Sequence, residues 1–346
     1  MLSNLSSGNS LKSKIILMYS FLTLFIIACW GVLLVLSYNN LEFLALGSFA
    51  FLLGLKHAMD ADHIAAIDNV TRKFVNDGKK QIGTGFFFSL GHSTVVLAMA
   101  VGVVLSASLV SKNINWLGHI GGVIGTGISA TFLYIIAIMN IAVLISIVRA
   151  YNDITAKRKS DKDIDDEMSK LGFMNRYFKR FYNSINSSYQ MYPIGFLFGL
   201  GFDTATEILL LGITVSAALN GKPLLVVLIL PFLFASGMMF LDSTDGVVML
   251  FAYKWAFVNP LRKIRYNISI TSLSIFLALI IGTIEWLQVA ALELGYKKGI
   301  WEAVAKLSFS EIGAIIAILF VIFWGVFIFA YKVKAKAGSL RDIYPE

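Results

Sequence analysis

Apolar residues run in long blocks along this chain, and polar residues collect between them. The blocks fall at about 15–37, 43–68, 82–110, 119–149, 191–219, 223–253, 267–290 and 309–331. Each reaches or exceeds the roughly 20 residues that a helix needs to cross about 30 Å of hydrocarbon. The pattern predicts an all-α polytopic membrane protein with about eight transmembrane helices. Short alternating segments, the mark of a membrane β-barrel, are missing. Residues 150–190 interrupt the apolar pattern. Their run "AKRKSDKDIDDEMSK" is polar and mixed in sign, and reads as a solvated cytoplasmic connecting loop inside one transmembrane domain, 1–346. The first block is too long for a signal-peptide core and lacks a small-x-small site after it, so it is expected to remain as the first span.

Composition agrees. Of 346 residues, 57% are hydrophobic and 14% charged, and the mean hydropathy is +0.76. A soluble domain is about half apolar and about a quarter charged. A single cysteine, Cys29, excludes an intrachain disulfide and a thiolate metal cluster, and is expected to pack as a small side chain. The net charge of +8 is uneven along the chain. The N-terminus, 69–81, 149–190, 254–266 and the tail hold 23 of the 29 lysines and arginines. These are alternate connections, so the positive-inside rule places both termini and the long loop in the cytoplasm. The basic residues then face anionic lipid headgroups and not nucleic acid.

Two segments resemble each other. "FLLGLKHAMDADHI" begins at Phe51 and "FLFGLGFDTATEIL" at Phe196. Without gaps, Phe51, Leu52, Gly54 and Leu55 match Phe196, Leu197, Gly199 and Leu200, and Asp62 falls on Glu207. The second span runs inward and the fifth outward. Either an inverted-topology repeat relates helices 2–4 to 5–7, or two Phe/Leu/Gly-rich helices agree by chance.

The ionisable groups inside the apolar blocks carry the chemistry. Seven carboxylates lie there away from the block ends: Asp60, Asp62, Asp203, Glu207, Asp242, Asp245 and Glu285, with Asp68 and Glu311 at the edges of their blocks. Only Lys56 offers a fixed positive charge at similar depth. An acid at a helix centre costs roughly 2.5–3.5 kcal/mol on insertion scales, and such groups face a bundle interior or an aqueous cavity. One lysine cannot neutralise seven acids, so the others are protonated, hydrated or matched by a bound cation. Three of the four histidines, His57, His63 and His92, lie in the same polar islands, whereas His119 lies near an outer boundary. Neutral imidazole beside carboxylate suits borderline divalent ions such as Ni2+, Co2+, Zn2+ or Cu2+. Ca2+ or Mg2+ favours an all-oxygen site.

Helix geometry constrains the set. At about 100° per residue, an unbroken helix presents His57, Asp60 and His63 together and turns Asp62 about 140° from His57. A site that joins His57, Asp62 and His63 requires the helix to unwind, and broken helices are tolerated where they line a cavity. Otherwise Asp62 orients an imidazole from behind. Asp203 and Glu207 share one helical face, as do Asp242 and Asp245. Thr204, Thr206, Ser243 and Thr244 lie beside them. Gly121 and Gly125 in "GGVIGTG" are expected to let helices approach closely.

"KHAMDADHIAAIDNVTRK" resembles the signature of the nickel/cobalt transporter (NiCoT) family, in which His is followed after four residues by Asp-His. "FSLGHSTVV", "LGFDTATEI" and "GMMFLDSTDG" resemble that family's other blocks, in the same order. The resemblance implies eight helices with both ends inside and uptake of Ni2+, Co2+ or both across the cell membrane without an ATPase partner. It implies that His57, Asp62 and His63 recognise the metal and that His92 is a further metal-site residue. Asp60 joins the metal set on spacing, and Lys56, Asp203, Thr204, Glu207, Asp242 and Asp245 are expected along the pathway or behind the ligands. The family's usual arginine before the first histidine is Lys56 here, a point charge in place of a planar fork.

Other readings are weaker. Transport of Zn2+, Mn2+ or Fe2+ would use similar ligands. An intramembrane zinc protease would show His-Glu-x-x-His, which the chain lacks. A metal sensor would use the 150–190 loop as its output, but that loop has no His or Cys. An ATP-driven pump would need a partner, since no Walker motif is present. Metal binding to imidazole competes with protonation. Uptake is therefore expected to fall as the pH drops below about 6.5, the ordinary histidine pKa. Initial uptake rates in vesicles at pH 5 and pH 7 check this, and equal rates would remove the support for histidine ligation.

Overall fold

The computed structural model describes residues 2–155, 185–200, 205–256, 260–295, 298–305, 307, 311–316, 318–319 and 322. All secondary structure among them is helical: α1 (Leu2–Leu36), α2 (Leu41–His57), α3 (Ala61–Asn76), α4 (Thr84–Thr155), a 3-10 turn (Ser188–Gln190), α5 (Met191–Gly199), α6 (Ala205–Leu219), α7 (Leu224–Ala256), α8 (Pro260–Leu294) and α9 (Ile300–Ala305). Four helical stretches are long and apolar enough to cross a membrane: Leu11–Leu36, Thr84–Val103, Leu224–Phe251 and Thr271–Leu294. The pair α2 and α3, bent by 53°, makes a fifth if counted as one span. Outward-facing side chains such as Leu17, Leu24, Leu52, Leu105 and Phe276 are more than half exposed, as lipid contact requires. Most of the expected eighth span and of the 150–190 loop lies outside the described residues.

The expected second span, 43–68, is not one helix. α2 ends at His57, and the next residues tighten into three-residue bonds, Met59 N–H to the Lys56 carbonyl and Asp60 N–H to the His57 carbonyl. Asp60 is extended (φ −67°, ψ 145°) and restarts the chain as α3. Every residue of α3 from Ala61 to Phe74 is buried, although the stretch carries Asp62, His63, Asp68, Asn69, Arg72 and Lys73. The expected 69–81 loop is corrected accordingly. Its first part is buried helix, because Arg72 and Lys73 find partners inside the protein. The expected fifth span, 191–219, is likewise two helices, α5 and α6.

α4 contains two arms. Phe88 and Phe132 both pack edge-on against Phe198, with ring centroids 5.1 and 5.6 Å away. A straight helix would separate residues 88 and 132 by about 66 Å. The chain therefore doubles back between them, so that the candidate span Thr84–Val103 and the shorter apolar stretch Thr126–Ala142 both pack on α5.

Glycines bring the site-bearing helices together. A Cβ on Gly54 would come within 2.0 Å of the Phe234 carbonyl oxygen, locking α2 to α7. One on Gly85 would come within 1.9 Å of the Asp242 carbonyl oxygen, locking α4 to α7. Such approaches replace the hydrophobic effect as the source of helix association in lipid. Opposite ends of the bundle are also distinct. Lys222 pairs with Glu42 at one end. At the other, Lys73 bonds the Ile185 carbonyl at 2.9 Å and Lys79 the Asn186 side chain at 3.0 Å. Gly85→Val is expected to force α4 from α7 at a cost of about 1–3 kcal/mol. Gly102→Val, where nothing lies within 4 Å, is expected to be neutral. Thermal unfolding of the detergent-solubilised variants compares the two.

Candidate metal centre

Five helices deliver one or two polar groups each to the point where α2 stops. His57 is the last residue of α2, and Asp60 and His63 flank the start of α3. His92 and Ser89 lie one turn apart on α4. Thr206 and Glu207 begin α6, and Asp242 sits just past the middle of α7. All are 3% exposed or less.

The three imidazoles converge. Their ring centroids are 4.6 Å (His57–His63), 4.8 Å (His57–His92) and 5.0 Å (His63–His92) apart. One nitrogen from each lies within 4.8 Å of the others. Each ring is also held. Asp60 Oδ2 is 2.9 Å from His57 Nδ1, and Thr206 Oγ1 is 3.2 Å from the same nitrogen. Asp242 Oδ2 is 3.1 Å from His63 Nδ1 and accepts from Ser89 Oγ at 2.6 Å. Glu207 Oε1 is 2.8 Å from His92 Nε2. A carboxylate at Nδ1 fixes the proton there and leaves Nε2 as a lone-pair donor. In that tautomer His57 and His63 both offer Nε2. The Nε2 of His63 has no hydrogen-bond partner although it is buried.

These distances suit a transition metal. Donors about 2.0–2.1 Å from a common ion lie roughly 3.0–3.4 Å from each other. His57 Nε2 and His92 Nε2 are 3.1 Å apart, and Glu207 Oε1 is 2.8 Å from the second and 3.8 Å from the first. Two nitrogens and one oxygen are thus near ligand spacing already, and His63 must close in by about an ångström. Phe88 packs against His63 at 4.8 Å and Phe234 against His57 at 5.5 Å, so apolar rings wall the group.

The remaining expected residues divide. Asp62 is buried on the first turn of α3, 7% exposed, with Oδ1 unpartnered. The break therefore brings Asp60 rather than Asp62 into hydrogen bonding with His57. Asp245 is half-buried, with an enclosed and unpartnered Oδ2. Asp203 and Thr204 lie outside the described residues. Lys56 is exposed on the last turn of α2. Glu285 accepts from Ser129 at 2.8 Å, away from the imidazoles. His119 is exposed, 3.7 Å from Glu293.

The sequence reading missed Ser89, although its spacing from His92 puts both on one helical face. It also missed a polar network toward the basic end. Asp68 accepts from Ser274 at 3.0 Å. Arg72 donates to Thr271 at 2.9 Å and to Asn69 at 2.8 Å, and Asn140 donates to Asn69 at 2.7 Å. Arg72, 1% exposed, is the buried cation that Lys56 was expected to be.

A lipid-facing helical exterior around a sealed cluster of imidazoles and carboxylates defines a multi-pass membrane protein of the metal-permease class. The chain belongs to the NicO family, described as high-affinity nickel-transport protein, which matches residues 43–329. It is 45% identical over 287 residues to the nickel transporter NicT of Mycobacterium tuberculosis, covering 82% of this chain and 77% of that one. It is 43% identical over 321 residues to the high-affinity nickel-transport protein NixA of Helicobacter pylori, covering 91% and 96%. The cobalt transport protein NhlF of Rhodococcus rhodochrous is 40% identical over 247 residues, covering 69% and 68%. No solved structure is significantly similar.

Removing a group that orients a metal-binding histidine typically costs about 10–100-fold in affinity. Asp242→Ala is expected to weaken nickel binding by that amount, and Ser89→Ala by less, since it removes one support of Asp242 and leaves the carboxylate. Calorimetric titration of nickel into the purified variants measures both.

Proposed function

We propose that this chain is a secondary permease that takes up Ni2+, Co2+ or both across the cytoplasmic membrane through an intramembrane site. His57, His63, His92 and Glu207 bind the ion. Asp60, Asp242 and Ser89 hold the rings, and Asp62 stands in reserve beside them. Asp203, Thr204 and Asp245 line the route, and Lys56 falls outside it. The observation that carries the proposal is the convergence of three buried imidazole nitrogens within 4.8 Å. Carboxylates back His57 and His63 at Nδ1, and Glu207 meets His92 at Nε2, on the side facing the other rings.

The topology is eight spans with both termini in the cytoplasm. α1, the bent α2–α3 pair, the two arms of α4, the α5–α6 pair, α7 and α8 supply seven, and the apolar block 309–331 the eighth. The inverted repeat draws support from shape, because the helix of each segment ends early, α2 at His57 and α5 at Gly199. The positive-inside count orients the bundle with the Lys73–Lys79 end inward. Binding that is neither rigid nor saturated lets the ion leave again. No ATPase partner is required.

Uptake of radioactive nickel and cobalt into proteoliposomes tests this, with and without a proton gradient. The wild type is expected to accumulate at least one metal, and His57→Ala and His92→Ala to lose at least about tenfold in rate. Uptake unchanged in both variants would remove the site, and wild-type liposomes that take up neither metal would remove the function.

A further inference from the structure

Above Glu207, away from the basic end, the three site-bearing faces continue as apolar surface. On α4, Val96, Met99 and Ala100 follow His92 by four, seven and eight positions, which keeps them on its face. On α6, Leu210, Leu211 and Thr214 follow Glu207 by three, four and seven. On α7, Pro231 precedes Asp242 by eleven, three helical turns on the same side. These residues and Glu207 line one small cavity with about 10 Å³ open to a water centre. That is near the least that admits a single water.

Glu207 is thus the floor of this cavity and a wall of the imidazole cluster at once. Its Oε1 reaches His92, and its side chain lines the cavity above. A dication with coordinated waters does not fit a space of this size. Hydrophobic constrictions close ion routes by excluding water. Pro231 gives α7 a weak point at this level, because it removes the backbone bond to Val227. The cavity lies toward the end marked by the Lys222–Glu42 pair, which the charge pattern places outside.

We propose that the apolar throat of Val96, Met99, Leu210, Leu211 and Thr214 is the outer gate of the permease, and that Glu207 is the first protein ligand an entering dication meets. The inference rests on the transport reading above and adds the door and the order of contact. Metal sheds its waters onto Glu207, then passes to His92 and His57, whose nitrogens lie 2.8 and 3.8 Å from that oxygen.

Thiol accessibility tests it. Cys29 is replaced by serine, and single cysteines are placed at Ala100→Cys and Thr214→Cys, two positions in the throat where the change in size is small. Leu209→Cys, on the exposed side of α6 at 48% exposure, is the control. Intact cells are treated with a membrane-impermeant cationic thiosulfonate. The mass of the purified protein reports labelling, and nickel uptake is measured separately. Both throat cysteines are expected to be labelled from outside, more slowly under saturating nickel, with at least about tenfold loss of uptake. Uptake by the control is expected to be unchanged. Labelling of neither throat cysteine from outside, labelling only from the cytoplasmic side, or labelling without loss of uptake would each overturn the gate. The labelling readout needs no transport, so it separates failure of the gate from failure of the permease reading.

Discussion

A polar helix in a hydrocarbon medium must be wrapped in protein, and α3 is that helix. From Ala61 to Phe74 it is buried throughout while carrying acids, histidine, amide, guanidinium and ammonium groups. No water of the bilayer core can satisfy such groups, so neighbouring helices must. α7 supplies Asp242 to His63, α8 supplies Ser274 and Thr271 to Asp68 and Arg72, and α4 supplies Asn140 to Asn69. The packing of the bundle around α3 follows from that demand.

The break before α3 serves the same end. A continuous helix would present His57, Asp60 and His63 on one face, but with the two rings at the edges of an arc of about 120° and Asp60 between them. Ending α2 at His57 and bending by 53° brings them to 4.6 Å. The backbone donors released by the break find carbonyls one residue closer. Asp60 makes no cap bond with its side chain and gives its carboxylate to His57. Local regularity is given up at one point so that two imidazoles meet, and the carboxylates at their Nδ1 atoms hold the rings in place.

Much of this was legible in the chain. Imidazoles and acids inside apolar blocks have no inexpensive explanation in lipid, and His57, His63 and His92 do meet. Asp242 and Glu207 were marked by the same argument, and both touch a ring. What misled was depth without direction. Lys56 is adjacent to His57 in sequence, yet about 100° round the helix it faces outward. The crowding of charge after Asp68 read as a loop, because periodicity cannot show that other helices will cover Arg72. Ser89 was hidden by its ordinariness, since a serine in an apolar helix usually bonds its own backbone. Ser89 also bonds the Gly85 carbonyl, so only its second contact, to Asp242, betrays the role.

The glycine contacts distribute mechanical stiffness unevenly. α2, α4, α5 and α7 press backbone on backbone at Gly54, Gly85, Gly91 and Gly195, leaving no slack for sliding. α6 lacks such a lock: its one described glycine, Gly212, has nothing within 4 Å of where a Cβ would stand. The short helix that carries Thr206 and Glu207 is therefore free of the backbone locks that tie α2, α4, α5 and α7 together. Two of the imidazoles, His57 and His92, ride on a rigid chassis, and the carboxylate facing them rides on a spring.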